Sequence, residues 1–255
     1  MSWEIMHGGL GPGVAAGLSA VSFLCSLITA AFGIGGGAVM LGVMAVFLPA
    51  PAIIPLHGLV QLGSNVGRTA LFIKYIHTAT VVPFLIGSCV GVAIGGTFVV
   101  QLNPGMIRVG VGLFILWTIL FKPPASMRSS AAVTGLFSSF LTMFFGGTGP
   151  FVAAYVKTLD LDRLGYSATH ALLMTAQHLF KTIAFALLGF AFAHWLGLVA
   201  LLIGSGFLGT VAGRHILLRI DERKFRVALN AVLFLLALQL IIWGGTRLFQ
   251  DYAPG

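Results

Sequence analysis

The chain is a succession of long apolar runs separated by short polar or glycine-rich segments. Most of these runs reach the roughly 20 residues that an α-helix needs to cross a bilayer. The pattern therefore predicts an all-α integral membrane protein with about eight transmembrane helices. The predicted spans are 12–32, 53–76, 79–101, 105–121, 131–145, 165–190, 194–213 and 225–249.

Two further apolar runs, 38–48 and 151–159, are too short to cross a bilayer. Each follows a glycine-rich break, at 33–37 and 146–150. Unpaired backbone groups are costly in lipid, so such a break survives only inside protein or beside a water-filled cavity. We interpret each short run as a broken or re-entrant half-helix, which in transporters indicates the binding site. Close helix packing by small residues is the alternative explanation for these glycines.

The two halves of the chain match at a fixed offset of 113 residues. Matches between apolar residues are frequent by chance in such a sequence, but matches between polar residues inside apolar runs are not. The offset therefore predicts a duplicated membrane protein. The matched pairs include His57 with His170, Arg68 with Lys181, Ser26 with Ser139, Gly91 with Gly204, and Gly96 with Gly209.

The duplication predicts two tandem transmembrane repeats within one membrane domain, residues 1–122 and 123–255. If each broken element makes one net crossing, each half crosses an even number of times and the halves run parallel. If each broken element makes an even number of crossings, each half crosses an odd number of times and the halves are inverted. The sequence leaves both arrangements open.

Composition agrees with a membrane protein, because 58% of the residues are hydrophobic and 8% are charged. A soluble domain carries roughly three times that charged fraction. The net charge of +8 would suit nucleic acid, but many of the basic residues crowd into the loop at 214–226 beside apolar spans. That is the distribution the positive-inside rule produces. The expected partner is the lipid bilayer and not nucleic acid.

Two of the predicted spans, 53–76 and 165–190, carry a polar face. In the first, four polar residues at spacings of 0, 4, 8 and 11 lie within about 80° of arc on a helix. Ionisable residues in spans usually face the bundle interior and mark a substrate path. Snorkelling to the interface is the alternative for the basic residues. The two ladders are His57, Gln61, Asn65 and Arg68, and His170, Gln177, His178 and Lys181.

No carboxylate lies within the predicted spans. Two basic residues without an internal counter-ion indicate that the substrate supplies the negative charge and is an anion. The half-helices would add their positive N-terminal ends. We predict no cofactor and no metal site. The predicted substrate-binding residues are Gly33, Gly35, Gly36, Gly37, His57, Gln61, Asn65, Arg68, Gly147, Thr148, Gly149, His170, Gln177, His178 and Lys181.

Two other classes of protein compete with this interpretation. A metal-ion transporter or channel would use His57, His170 and His178, but the basic residues on the same faces would repel the ion. An intramembrane enzyme would need a catalytic constellation, and the sequence contains no Gly-x-Ser-x-Gly and no His-Glu-x-x-His motif. We therefore expect that the chain is not an enzyme.

The segment Phe32-Gly33-Ile34-Gly35-Gly36-Gly37, followed by apolar residues and Pro49, resembles the opening motif of TauE/SafE-type permeases. The resemblance covers essentially the whole chain, although the second break, 146–150, departs from the motif. It implies a secondary transporter, and by its name an exporter, of a small sulfur-containing anion such as sulfite, a sulfonate or thiosulfate. It also implies a bacterial inner-membrane location, and a homodimer is an open alternative for the assembly.

Overall fold

The computed structural model describes residues 8–32, 35–99, 103–216 and 222–252, and within them the chain forms ten α-helices joined by short links and 3₁₀ turns. The helices are α1 Pro12–Phe32, α2 Gly36–Phe47, α3 Ala50–Leu71, α4 Val81–Val99, α5 Pro104–Leu120, α6 Ala131–Phe145, α7 Gly149–Val156, α8 Arg163–Leu187, α9 Leu196–Ile216 and α10 Glu222–Tyr252.

The chain is an all-helical membrane protein. Among the described residues, four segments are long and apolar enough to cross a bilayer: Pro12–Phe32, Thr78–Val99, Phe192–Gly213 and Leu229–Phe249. Helices α3 and α8 are also long, at 22 and 25 residues, but carry the polar ladders. The short helices α2 and α7, of 12 and 8 residues, follow the two glycine-rich breaks.

Helix α3 begins and ends earlier than the predicted span 53–76. It begins at Ala50, because Pro49 and Pro51 occupy the N-cap and first turn, where a missing N–H costs no helical hydrogen bond. It ends at Leu71, and two 3₁₀ turns follow it. The apolar run continues past this end, so hydrophobicity alone gave no signal for the boundary.

Helix packing pairs distant parts of the chain. Helix α1 packs on α9, α4 on α6, α3 on α8, and α5 on α10. If α1–α5 are matched in order with α6–α10, the α1–α9 pair becomes the α6–α4 pair, whereas α3–α8 and α5–α10 map onto themselves. Swapping the two halves therefore leaves the set of packed helix pairs unchanged, as a two-fold relation between the halves would.

Contacts along these helices give their relative directions. Ser26 and Arg68 show that α1 and α3 run parallel, since Ser26 meets Ser64 and Arg68 meets Thr29. In the same way α6 runs parallel to α8, through Ser138 with Gln177 and Thr142 with Lys181.

Helices α3 and α8 run antiparallel, because Gly58 lies against Lys181 whereas Thr69 meets Thr175. Helix α6 therefore runs opposite to α1. Helices α5 and α10 are also antiparallel, with Gly105 against Leu248 and Gly112 against Ala237. These directions are those of an inverted arrangement, one of the two that the sequence leaves open.

Glycines allow the closest of these contacts. A Cβ at Gly91 would clash with the carbonyl oxygen of Leu136, and one at Gly209 with that of Phe23. Leu136 and Phe23 are 113 residues apart, so the structural partner of Gly91 is Gly209, at an offset of 118. The sequence pairing of Gly91 with Gly204 and of Gly96 with Gly209 is wrong, because α9 begins at an offset of 115 from α4 and Gly209 lies three residues further along its helix than Gly91.

The helix directions also separate two faces of the bundle. Helices α3, α5 and α9 end, and α4, α6, α8 and α10 begin, at one face, which we call the basic face. Its described connections, 72–80, 121–130 and 157–162, hold the basic residues Lys74, Lys122, Arg128 and Lys157. The described connections at the opposite face, 8–11 and 188–195, hold no Lys or Arg.

Replacing Gly91 by alanine should lower the free energy of unfolding by about 1–3 kcal/mol, since the added methyl group meets backbone that cannot rotate away. The matched control is Gly96→Ala in the same helix, where no atom lies within 4 Å of the added Cβ. Thermal unfolding in detergent measures both. Equal midpoints for the two variants would contradict the α4–α6 contact.

Candidate functional site

A cavity of about 300 Å³ lies between the two halves. The starts of α2 and α7, the polar faces of α3 and α8, and the basic-face ends of α1, α5 and α10 line it. It extends from His57 and His178, in the middle of the bundle, towards the basic face. Ten of the predicted site residues line it: Gly35, Gly37, His57, Gln61, Asn65, Arg68, Gly147, Gly149, His170 and His178.

Histidines hold the first turn of each short helix against a long polar helix. His57 Nε2 lies 3.0 Å from the carbonyl oxygen of Gly37, and His170 Nε2 lies 3.4 Å from that of Gly149. Since a carbonyl only accepts, each Nε2 carries the proton. The Nδ1 atoms of both histidines are buried without a hydrogen-bond partner. Each ring therefore has one nitrogen committed to the fold and one available for other chemistry.

A third histidine completes this group in the middle of the bundle. The rings of His57 and His178 meet edge to face, with centroids 5.9 Å apart. The Nδ1 of His178 is also buried and lacks a hydrogen-bond partner. The ladders of α3 and α8 thus meet at these two rings.

Arg68 brings the positive charge to the cavity. Its side chain is 4% exposed and donates from Nη1 to the carbonyl oxygen of Thr29, at 3.3 Å, and from Nη2 to the side-chain oxygen of Asn65. Its Nε has no partner. Asn65 in turn donates to the Gln61 carbonyl oxygen at 2.7 Å. The guanidinium is therefore held in place with donor capacity remaining.

Lys181 does not line the cavity, although the sequence predicts it as a substrate-binding residue. Its side chain is fully buried, its Cε packs over Gly58 of α3, and its Nζ donates to the Thr142 hydroxyl at 3.3 Å. The missing side chain at Gly58 gives the lysine room to lie there. The basic residues of the two halves thus have different environments.

Thr148 and Gln177 are likewise close to the cavity but behind its wall. Gln177 donates to the Thr148 hydroxyl at 2.6 Å and accepts from Ser138 at 2.8 Å. All three side chains are fully buried. They hold α6, α7 and α8 together, so in this structure their role is structural.

The predicted glycines also divide into residues that line the cavity and residues that do not. Gly35 has a φ of 107° at the start of α2, a value that favours glycine, and it lines the cavity. Gly36 does not line it, because it packs directly on the backbone of Cys25, so the packing explanation holds there. Gly33 lies outside the described residues.

Thr29 and Asn230 line the cavity but were missed in the sequence. Thr29 carried a usable signal, because it matches Thr142 at the offset of 113 and each threonine contacts the basic residue of its own half. Asn230 is a polar residue near the start of α10, in a region where the sequence is crowded with charges. Nothing in its spacing indicates that it faces the cavity.

The cavity is electrostatically one-sided. Among the described residues, Arg68 and three histidines line it and no Asp or Glu does. The described residues also contain no group of three or more His, Cys, Asp or Glu side chains that could hold a metal ion. The cavity therefore favours a negatively charged occupant.

A cavity lined by an arginine and by the starts of two broken helices, within an apolar helical bundle, is typical of a membrane transport protein. The model of the Sulfite exporter TauE/SafE family matches residues 18–240, which is most of the chain. The chain belongs to this family and is an integral membrane transporter. Membership of a transporter family agrees with the expectation that it is not an enzyme. Neither the curated proteins nor the solved structures gave a significant match.

Removing the Gln177 side chain should cost about 1–3 kcal/mol of stability, because the Gln177→Ala change leaves Ser138 and Thr148 buried without their partner. The matched control is Gln61→Ala, since Gln61 lines the cavity and water can replace its amide. Thermal unfolding of both variants in the same detergent compares them. A loss for Gln61→Ala as large as that for Gln177→Ala would contradict this division of roles.

Proposed function

We propose that the protein exports a small sulfur-containing anion, such as sulfite, a sulfonate or thiosulfate, by alternating access. The anion binds in the cavity between the starts of α2 and α7, beside Arg68. The observation that supports this most directly is a buried arginine that lines the cavity, at which the described part of the chain places no carboxylate. Arginine's planar fork matches the geometry of an oxyanion.

The cavity's size fits a small solute. At roughly 30 Å³ per water molecule, 300 Å³ corresponds to about ten waters. That is room for sulfite with part of its hydration shell or for a short organosulfonate without it. The unpartnered Nε–H of Arg68 supplies a further hydrogen-bond donor for such an anion.

The distribution of charge supports an orientation with the basic face towards the cytoplasm. Cytoplasmic loops carry an excess of Lys and Arg, and the described connections at the basic face hold four such residues whereas those at the opposite face hold none. The cavity extends towards the basic face. We therefore assign the structure to an inward-facing state in a bacterial inner membrane, in which a cytoplasmic anion can enter.

The two halves, residues 1–122 and 123–255, are in this proposal inverted repeats that rock against each other. Support comes from the opposed directions of α1 and α6 and from the exchange pattern of helix packing. Inverted repeats are a common architecture for alternating access around a midplane site. A homodimer remains compatible with this arrangement, since the site lies within one chain.

A metal ion as the cargo is disfavoured. Arg68 lines the same cavity as the three histidines and would repel a cation. Thermal-shift measurements separate the two substrate classes, because a bound ligand stabilises the folded state. Stabilisation by sulfite and not by Zn²⁺ or Ni²⁺ would support the anion.

Replacing Arg68 by alanine should reduce sulfite flux into proteoliposomes by about 10- to 100-fold, since it removes charge-assisted hydrogen bonds worth about 1.5–3 kcal/mol. Arg68→Lys keeps the positive charge but loses the planar guanidinium group, so its sulfite flux should lie between those of the wild type and Arg68→Ala. Lys122→Ala, which removes a basic residue from an exposed link, is the control and should transport like the wild type. Unchanged flux for Arg68→Ala would sink the proposed anion site.

Any coupling to protons should pass through the histidines, because histidine ordinarily titrates near neutral pH and no carboxylate lines the cavity. The charged groups near His57 and His178 are Arg68 and Lys181, and the third histidine is His170. An imposed pH gradient should change the wild-type sulfite flux. His178→Gln should remove that dependence, since glutamine keeps polarity but does not titrate. A wild-type rate that ignores the gradient would contradict proton coupling and leave uniport.

A further inference from the structure

Lys181 is a basic residue in the interior of the bundle without an acidic partner on the helices around it. Its side chain is fully buried, and the three helices around it, α3, α6 and α8, contain no Asp or Glu. The Thr142 hydroxyl, 3.3 Å from Nζ, is a neutral partner. Because a buried charge is costly unless something compensates it, ionisable residues in membrane spans generally have a function.

The surroundings of Lys181 reproduce those of Arg68. Arg68 contacts Thr29 near the end of α1, and Lys181 contacts Thr142 near the end of α6. Both the basic residues and the threonines are 113 positions apart. The contacts differ in detail, since Arg68 donates to the Thr29 backbone carbonyl and also to Asn65, whereas Lys181 donates to the Thr142 hydroxyl. The two positions also differ in access, since Arg68 and Thr29 line the open cavity and Lys181 and Thr142 do not.

Aromatic packing closes the second environment. Phe145, one turn beyond Thr142, stacks on Phe114 with centroids 4.9 Å apart and planes inclined by 9°. Its match at the offset of 113 is Phe32, which lines the open cavity. The closed side therefore holds the same residue types as the open side in a packed arrangement.

We propose that Lys181 and Thr142 form a second binding position for the same anion, which opens towards the face opposite the basic face, with Phe145 as its gate. The inference rests on the proposed function. Because α6 runs opposite to α1, exchanging the conformations of the two halves turns a cavity open at one face into a cavity open at the other. In that state Lys181 lines the cavity and Arg68 is packed.

The two positions would bind the anion differently. Arg68 offers a fixed fork with several donors, whereas the ammonium of Lys181 is a point charge. An anion would therefore be held in a defined orientation on the basic-face side and more loosely on the opposite side. This difference suits uptake from the first side and release to the second.

Cysteine labelling tests the proposal with a matched pair of residues. In a background carrying Cys25→Ala and Cys89→Ala, Thr29→Cys and Thr142→Cys are treated with a membrane-impermeant methanethiosulfonate in right-side-out and inside-out vesicles that transport sulfite. Thr29→Cys should react from the basic face. Thr142→Cys should react from the opposite face, at about 0.1–10% of that rate, the usual population of a minor state.

Two further variants keep the test informative. Phe32→Cys and Phe145→Cys repeat the comparison one turn away if Thr142→Cys does not fold. Thr134→Cys, fully buried in α6, is the control and should not react from either face.

If Thr142→Cys and Phe145→Cys stay unreactive from the opposite face in vesicles that transport sulfite, or react from the basic face, the second position does not exist and Lys181 is structural. That result leaves the proposed function standing. A wild-type protein that does not transport the anion in the same vesicles overturns the proposed function itself.

Discussion

The structure depends on interrupting two helices inside an apolar bundle without leaving the interruption unsupported. Lipid offers no hydrogen bonds, so the ends of α2 and α7 must be held by protein. His57 and His170 tie the first turns of α2 and α7 to the long helices α3 and α8 by donating to the carbonyl oxygens of Gly37 and Gly149. The same residues that stabilise the broken helices thereby line the cavity, so fold and site depend on the same hydrogen bonds.

Symmetry and asymmetry divide the roles within the site. The helix packing and the two histidine hydrogen bonds are alike in the two halves, although the halves run in opposite directions. The environments of the basic residues are not alike. Arg68 lines the cavity and Lys181 lies behind its wall, although both contact a threonine. In the proposed alternating access between inverted halves, these two nearly equivalent parts of the site are in unlike states.

The sequence predicted the number and nature of the helices well, because apolar runs and glycine breaks are local signals. It also predicted ten of the residues that line the cavity, because one-sided polar spacing on α3 and α8 survives in the fold. It did not predict that Thr148, Gln177 and Lys181 lie behind the wall, since helical spacing fixes a face but not the depth of its contacts. The pairing of Gly91 failed for another reason, namely that the start of α9 and the position of the contact along it shift by a few residues relative to α4 without any periodic signal.

The uncompensated charge of Arg68 has an electrical consequence. When a monovalent anion occupies the cavity, it offsets the charge of Arg68, and the loaded site responds less to the membrane voltage. When the cavity is empty, the positive charge of Arg68 remains. Moving an elementary charge through the membrane potential changes the free energy by about 2.3 kcal/mol for each 100 mV. In the proposed cycle, the resting potential of the cell therefore acts mainly on the return of the empty carrier.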